Sequence, residues 1–375
     1  NGLSLWDLLF LKQNMPEPVR AMKFAEYATA REERPVAVDC ALGTNPLGSP
    51  GYVNEILGSG RLPDPSGYPG DDLPFRRALS DSWGRIFSPE DVVIGTGSIG
   101  LIITLARTFC TEGCAVLGVT PQFPDGPMHF QLAGASYRSV DLLPPDFTLR
   151  TKLIVEAMTG EESIVYIDRP HNPTGQVPPL EDMAVLAKEC ENRGALMIVD
   201  EAYGDFIPDE ESALNLDQQC VIVLRSFSKG RGLAGIRAGY CVIRNGEALN
   251  YVRKVAPPFA VSSMALELGA ASLLDREYIR RSRETVREVK GRVLQIISDT
   301  PGVTAAKTDP GIPILLVSMD EDGADLYERL MEQGIRTEAG DCFEGLGGES
   351  ARLRVPGPEQ VEVFERLWKR AFKTV

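Results

Sequence analysis

The chain of 375 residues carries 53 acidic against 39 basic side chains, a net charge of −14, and 43% of it is hydrophobic. That balance repels polyanions, so nucleic acid and anionic membrane are disfavoured as general partners, while a local cationic pocket is still allowed. Seven scattered cysteines without a CxxC pair, and only two histidines, argue against a disulfide frame and against a zinc site, and read as the reduced thiols of a cytoplasmic protein.

In chain order, the apolar patch Leu3–Leu11 contains Asp7 and has no basic flank before it. It is too short to span a bilayer and reads as an amphipathic arm that docks on its own or a neighbouring subunit, not as a signal peptide. From about Asp91 to Val242, β-rich runs alternate with helix-length amphipathic segments. The runs are Asp91–Ile94, Ala115–Val119, Ser163–Ile167, Leu196–Val199, Val221–Leu224 and Gly239–Ile243, with helices expected over Leu101–Phe109 and Leu180–Arg193. This pattern predicts an α/β unit with a mostly parallel central sheet and helices on both faces. After Pro257-Pro258 the pattern changes to long charged helices, Met264–Leu274 and Glu277–Ile297. A strand at Ile314–Val317 and helices over Ala324–Gln333 and Pro358–Phe372 follow. Residues 51–257 are therefore expected to form a large domain and 258–375 a smaller α+β domain.

The chemistry concentrates in a few short motifs. Lys229 lies in Ser226-Phe-Ser228-Lys229-Gly, followed by Arg237; an amine with two hydroxyls and a guanidinium nearby suits a phosphorylated aldehyde cofactor. Upstream stand Asn172-Pro-Thr-Gly175 and Asp200-Glu-Ala-Tyr203, the latter closing the apolar run Ala195–Val199. Gly95-Thr-Gly97-Ser-Ile-Gly100 follows one strand and opens a helix, so it matches the dinucleotide fingerprint literally. That reading fails on context: the strand after it ends in Thr120-Pro121-Gln122, where an acidic residue is required.

The order Asn-Pro-Thr-Gly, Asp-x-x-Tyr, Ser-x-Ser-Lys and Arg resembles the fold-type-I pyridoxal 5′-phosphate (PLP) enzymes, aminotransferase class I/II. Within these it is most similar to the histidinol-phosphate aminotransferase and threonine-phosphate decarboxylase branch, from about Leu42 to about Phe372. The resemblance implies the PLP-dependent transferase fold, with residues 1–50 supplying an N-terminal arm and part of the small domain. It implies Lys229 as Schiff-base lysine and general base, Asp200 on the pyridinium nitrogen, and Tyr203 and Asn172 on the phenolic oxygen. Ser98, Ile99, Ser226, Ser228 and Arg237 would hold the phosphate, and Phe123 would stack on the ring. Tyr68 would reach the phosphate in the other subunit of a homodimer with shared sites. Arg352, with Arg354 ranked second, would grip the substrate carboxylate, and Asn45 lies in the matching substrate loop.

Three departures from the family pattern stand out. Gly100 replaces a glutamate, Gly43-Thr44 replaces an asparagine and a glutamate, and Glu338 stands where the branch has a phosphate-binding arginine. Glu338 therefore predicts an amino substrate that is not a phosphate ester, with Arg336 as the residue that a shifted alignment would bring in instead. His171 receives no catalytic role. The expected reaction is transamination between an amino acid and a 2-oxo acid. A decarboxylase or lyase on the same cofactor is the alternative, because bond choice is set by pocket geometry. A PLP-holding regulatory protein is a third class, disfavoured because no basic helix-turn-helix extension accompanies the domain.

Overall fold

The computed structural model describes residues 16–22, 34–60, 62–111, 113–321 and 323–372; the Leu3–Leu11 arm lies outside them. A short strand β1 (Val38–Asp39) precedes the large sheet. That sheet is built from β2 (Val92–Gly95), β3 (Ala115–Thr120), β4 (Ser136–Asp141), β5 (Ile164–Asp168), β6 (Leu196–Glu201), β7 (Val221–Ser226) and β8 (Gly239–Ile243). Its order is β2-β8-β7-β6-β5-β3-β4, with β8 alone antiparallel to its two neighbours. Strand β4, absent from the expected runs, pairs along β3 at the sheet edge. It shows half-buried and exposed positions where the central strands are wholly buried, so its sequence, Ser136-Tyr-Arg-Ser-Val-Asp141, lacks the apolar run.

The central strands divide their side chains between two cores with period two. Ile164, Tyr166, Ile198, Ile222 and Leu224 face the helices Gly97–Phe109 and Gly246–Val255. Val165, Ile167, Met197, Val199, Val221 and Val223 face the opposite layer, which includes the helix Leu180–Arg193. That helix stops where Gly194 turns left-handed (φ 72°), a conformation that favours glycine.

The C-terminal unit contains β9 (Val303–Ala305), β10 (Ile314–Met319), β11 (Ile335–Arg336), β12 (Glu338–Ala339) and β13 (Ser350–Arg354). Its antiparallel sheet runs β12-β13-β10-β9, while β11 pairs in parallel with β1. Val38 and Cys40 pack in one core with Val289, Val293, Leu315, Leu353, Phe364 and Trp368. Val38 and Cys40 thus join the core of this unit. The break expected at 257/258 falls before the helix Ser263–Leu274, whose Ala265, Leu268 and Leu273 pack in the large-sheet core. Packing changes hands inside the 23-residue helix Arg276–Ser298, from Val286 onward. Composition signalled the helices there, but not which core each one joins.

Candidate active site

All six parallel strands end on one edge of the large sheet, where open α/β sheets place their ligands. Asp200 lies at that edge of β6, buried, directly in register with Asp168 of β5. Its Oδ1 accepts from the Ala202 amide at 3.0 Å and its Oδ2 from the Tyr166 hydroxyl at 3.4 Å. Burial first, and then the charge of Asp168, push its carboxyl up to about 7. Asp200 forms no salt bridge among the described residues. Lys229, in the turn after β7, is partly exposed, with its amine 5.5 Å above the Tyr203 ring. Desolvation, followed by the charges of Arg352 and Arg237, pulls that amine down to about 8, against the opposing charges of Glu338 and Asp200. Tyr203 is buried, and its hydroxyl occupies the space that a Cβ on residue 43 would fill. Gly43 is therefore a steric requirement of Tyr203 in this chain.

The helix Gly97–Phe109 starts at the same edge, so the Ser98 and Ile99 amides belong to its first turn, where four N–H groups lack helical partners. Arg237 takes a left-handed conformation (φ 52°), a strained state for a non-glycine residue. It lays its guanidinium against Gly97, where an added Cβ would lie 2.8 Å from Nη2. Arg237 Nη1 also donates to Ser228 Oγ at 3.2 Å, and Ser226 Oγ accepts from the Ser228 amide at 3.1 Å. Ser98, Ser226, Ser228 and Arg237 thus meet at one helix start. Beside them the Thr96 hydroxyl fills the position of a Cβ on Gly100, which accounts for the absence of a larger side chain there.

The substrate-side residues are less uniform. Arg352 on β13 is fully buried and lies across from Glu338 on β12 in register, with Nη2 to Oε1 at 3.5 Å. Arg354 is turned to the backbone, donating to the Val355 carbonyl at 3.0 Å and to the Asp39 carbonyl. Arg336 pairs with Asp39, across the β1–β11 contact, so Glu338 and not Arg336 stands beside Arg352. Asn45 donates to the Gly230 carbonyl (2.8 Å) and Ser282 Oγ (2.9 Å) and accepts from the Leu47 amide. Its amide group braces the loop next to Lys229. Phe123 packs beside the core containing Phe130 and Tyr166. Tyr68 is 84% exposed and stacks on the exposed Phe259, ring centroids 5.1 Å apart.

Sequence reasoning missed a buried ionic cluster that joins β6 and β7. Glu201 accepts from Arg225 at 2.9 Å, Ser212 Oγ at 2.5 Å and the Ala213 amide at 2.7 Å; Arg225 also meets Asp205 at 2.7 Å. It missed Asp168 too. A signal was present: Ile164-Val-Tyr-Ile-Asp168 repeats the pattern of Leu196-Met-Ile-Val-Asp200, an apolar strand closed by an aspartate. A cavity of about 840 Å³ opens on the far side of the Thr120–Phe123 loop, lined by Gln122, Met128, Tyr137 and Glu344 but by none of the groups around Lys229.

These residues fit a phosphorylated, cationic aromatic aldehyde. The helix start with Arg237 suits a dianion, the buried Asp200 suits a protonated ring nitrogen, and the Lys229 amine suits the aldehyde.

Residues 67–365 match the family model described as aminotransferase class I and II. The histidinol-phosphate aminotransferase of Methanosarcina barkeri is 31% identical over 366 residues, 96% of each chain. An aromatic amino acid aminotransferase of Corynebacterium efficiens is 30% identical over 287 residues, covering 75% of this chain and 78% of its own. The crystal structure of the Sinorhizobium meliloti histidinol-phosphate aminotransferase in complex with pyridoxal-5′-phosphate superposes with a TM-score of 0.83. It is 21% identical and covers 96% of this chain and 97% of its own.

Proposed function

The chain belongs to the class I and II aminotransferases, enzymes dependent on PLP, and we propose that it transfers an amino group from an amino acid that is not a phosphate ester to a 2-oxo acid. The observation that carries this reading is the position of Lys229. Its amine lies under the combined charges of Arg352, Arg237, Glu338 and Asp200, which come from separate strands and turns of both units.

Bound PLP supplies an electrophilic carbon for the amine and a ring that accepts an electron pair from the substrate Cα. Ser98, Ile99, Ser226, Ser228 and Arg237 would hold its phosphate, while Asp200 would keep a proton on its ring nitrogen. Asn172 and Tyr203 would orient its phenolic oxygen, and Phe123 would cover one ring face. Arg352 binds the substrate carboxylate through its planar guanidinium. With its amine held near 8, Lys229 is partly unprotonated at neutral pH, so it could take a proton from the substrate Cα and deliver it to the cofactor carbon that had carried the aldehyde. Glu338 partly neutralises Arg352, and its carboxylate disfavours a phosphate on the substrate.

The working unit we propose is a homodimer, in which the exposed Tyr68–Phe259 face meets the neighbour and Tyr68 reaches its phosphate site. The compartment we propose is the cytoplasm, in keeping with the seven free cysteines. The test is to load the purified protein with PLP and offer it neutral, basic and aromatic amino acids beside histidinol phosphate and threonine phosphate. Absorbance of the bound cofactor and product mass report the outcome. Amino-group transfer from unphosphorylated amino acids is expected. Turnover confined to the phosphate esters, or loss of CO₂, overturns the reading.

A further inference from the structure

Asp168 is a second buried carboxylate at the active edge, one strand from Asp200, and the mechanism above does not use it. Both its oxygens are committed. Oδ2 accepts from the Asn172 amide at 2.6 Å, and Oδ1 accepts from Gln122 Nε2 at 2.9 Å. Gln122 is itself held, since its Oε1 accepts from the Tyr137 hydroxyl and from the Val119 amide at 3.3 Å, and its Nε2 also reaches the Tyr166 carbonyl at 3.3 Å. Asn172 carries the side chain assigned to the cofactor's phenolic oxygen, and Gln122 directly precedes Phe123, assigned to its ring face. One carboxylate therefore ties together the two loops that flank the ring.

A second strap runs parallel to the first. His171 Nε2 donates to the Pro121 carbonyl at 2.9 Å, and the Thr174 hydroxyl donates to His171 Nδ1 at 2.7 Å. The acceptor at Pro121 fixes the neutral tautomer with its proton on Nε2. His171 and Asp168 thus bind the 169–175 turn to the 120–123 loop from two sides, and all four polar partners are buried. A buried carboxylate is costly unless hydrogen-bonded, and here its bonds go to the two loops that must be held in register.

We propose that Asp168 is a positioning residue for the cofactor ring: through Gln122 and the Asn172 amide it holds Phe123 and Asn172 at a fixed separation. The inference rests on the site reading given above. It concerns this chain's own straps, so each can fail separately. Loss of the covalent label from Lys229 would refute the site reading, whereas a cofactor that binds normally without the strap refutes only this one.

The experiment measures the PLP dissociation constant and the visible circular dichroism of the bound cofactor, with melting temperature as the control for folding. Asp168→Asn leaves one acceptor where the wild type has two, so an amide donor meets either the Gln122 amide or the Asn172 N–H and one arm of the strap breaks. It is expected to weaken PLP binding about tenfold to a hundredfold, the size of a lost hydrogen bond to a charged group, and to change the dichroic signal. Gln122→Met cuts the same strap with Asp168 in place, and is expected to weaken PLP binding even if Asp168→Asn does not fold. Unchanged affinity and dichroism in either cut variant overturns the proposal.

Discussion

The two walls of the active site are built on different plans. On the large-sheet wall, Asp200, Asn172, Lys229 and the proposed phosphate cradle come from strand ends and turns set by buried central strands, and their neighbours are tied by hydrogen bonds of 2.6 to 3.1 Å. On the small-unit wall, Arg352 stands on an antiparallel sheet and its charge is shared with Glu338 at 3.5 Å, a looser contact between two side chains of opposite sign. On the proposed reading, the first wall holds one cofactor throughout the reaction. The second must meet different substrates in turn, and a charge pair can be rebalanced by a single substitution where a sheet edge cannot. Mutations on the first wall should therefore change the chemical step, and mutations on the second the choice of substrate.

The largest effect is expected at Lys229. Lys229→Ala should lower turnover at least about 10⁴-fold, since both the amine nucleophile and the proton shuttle are lost. Its melting temperature should stay close to wild type, because the residue is partly exposed and forms no ion pair among the described residues. Borohydride reduction of the loaded wild-type protein should label the peptide containing Lys229, and a label elsewhere would break the assignment of the first wall.

Asp200→Asn comes next, with a loss of about 10²–10³-fold in kcat and a smaller change in PLP affinity, the scale for removing a preorganised charge. A pH signature accompanies it in the cofactor-free protein. The folded carboxyl is raised to about 7 from an ordinary value of 3.8, so the folded state holds the proton more tightly than the unfolded one. Its contribution to stability is complete below about pH 4 and is lost as pH rises through about 7. Asp200→Asn should flatten the fall in melting temperature across that window, and an unchanged slope would show that burial is not what governs Asp200.

The difference between the walls also explains what could be read from the sequence. Apolar runs closed by Asp200, or interrupted by the glycines before Ser98, mark a parallel sheet with a ligand edge, because strand ends and helix starts leave local signatures. The carboxylate of Asp168 left the same signature, but its purpose depends on Gln122, 46 residues away, and only folding brings the two together. Glu201, Arg225 and Asp205 likewise join strands β6 and β7 and the turn that follows β6. On the small-unit wall, Arg352, Arg354 and Arg336 were indistinguishable by type. Their partners, Glu338, the Asp39 carbonyl and the Asp39 carboxylate, are set by the β1–β11 and β12–β13 pairings, which are two residues long and carry no periodic pattern.

Arg352→Ala is expected to raise KM for the amino acid about a hundredfold (about 3 kcal/mol), since truncation removes the carboxylate grip and leaves Glu338 buried without its partner. If kcat falls by the same factor while KM stays unchanged, Arg352 belongs to the chemical step and the contrast between the walls fails. A dimer test sharpens the same boundary. Hybrids of Tyr68→Phe and Lys229→Ala subunits should regain activity above either parent, because one of their two sites is intact; no recovery in proven hybrids excludes Tyr68 from the neighbour's site.

The smallest change is expected at Glu338, and it tests selectivity alone. A carboxylate about 4 Å from a phosphate dianion costs a few kcal/mol at a partly shielded site. Glu338→Gln should therefore raise kcat/KM for phosphate esters relative to neutral amino acids about tenfold, with kcat for the neutral substrates nearly unchanged. The same substitution should act on Lys229. Glu338's charge supports protonation of that amine, whose value already sits near 8 under the opposing charges of Arg352 and Arg237. Removing it lets the amine shed its proton at lower pH, so the rise of kcat/KM with pH should begin earlier in Glu338→Gln than in wild type. A variant with unaltered selectivity and an unmoved pH profile would show that Glu338 faces away from the substrate and that its pairing with Arg352 is structural.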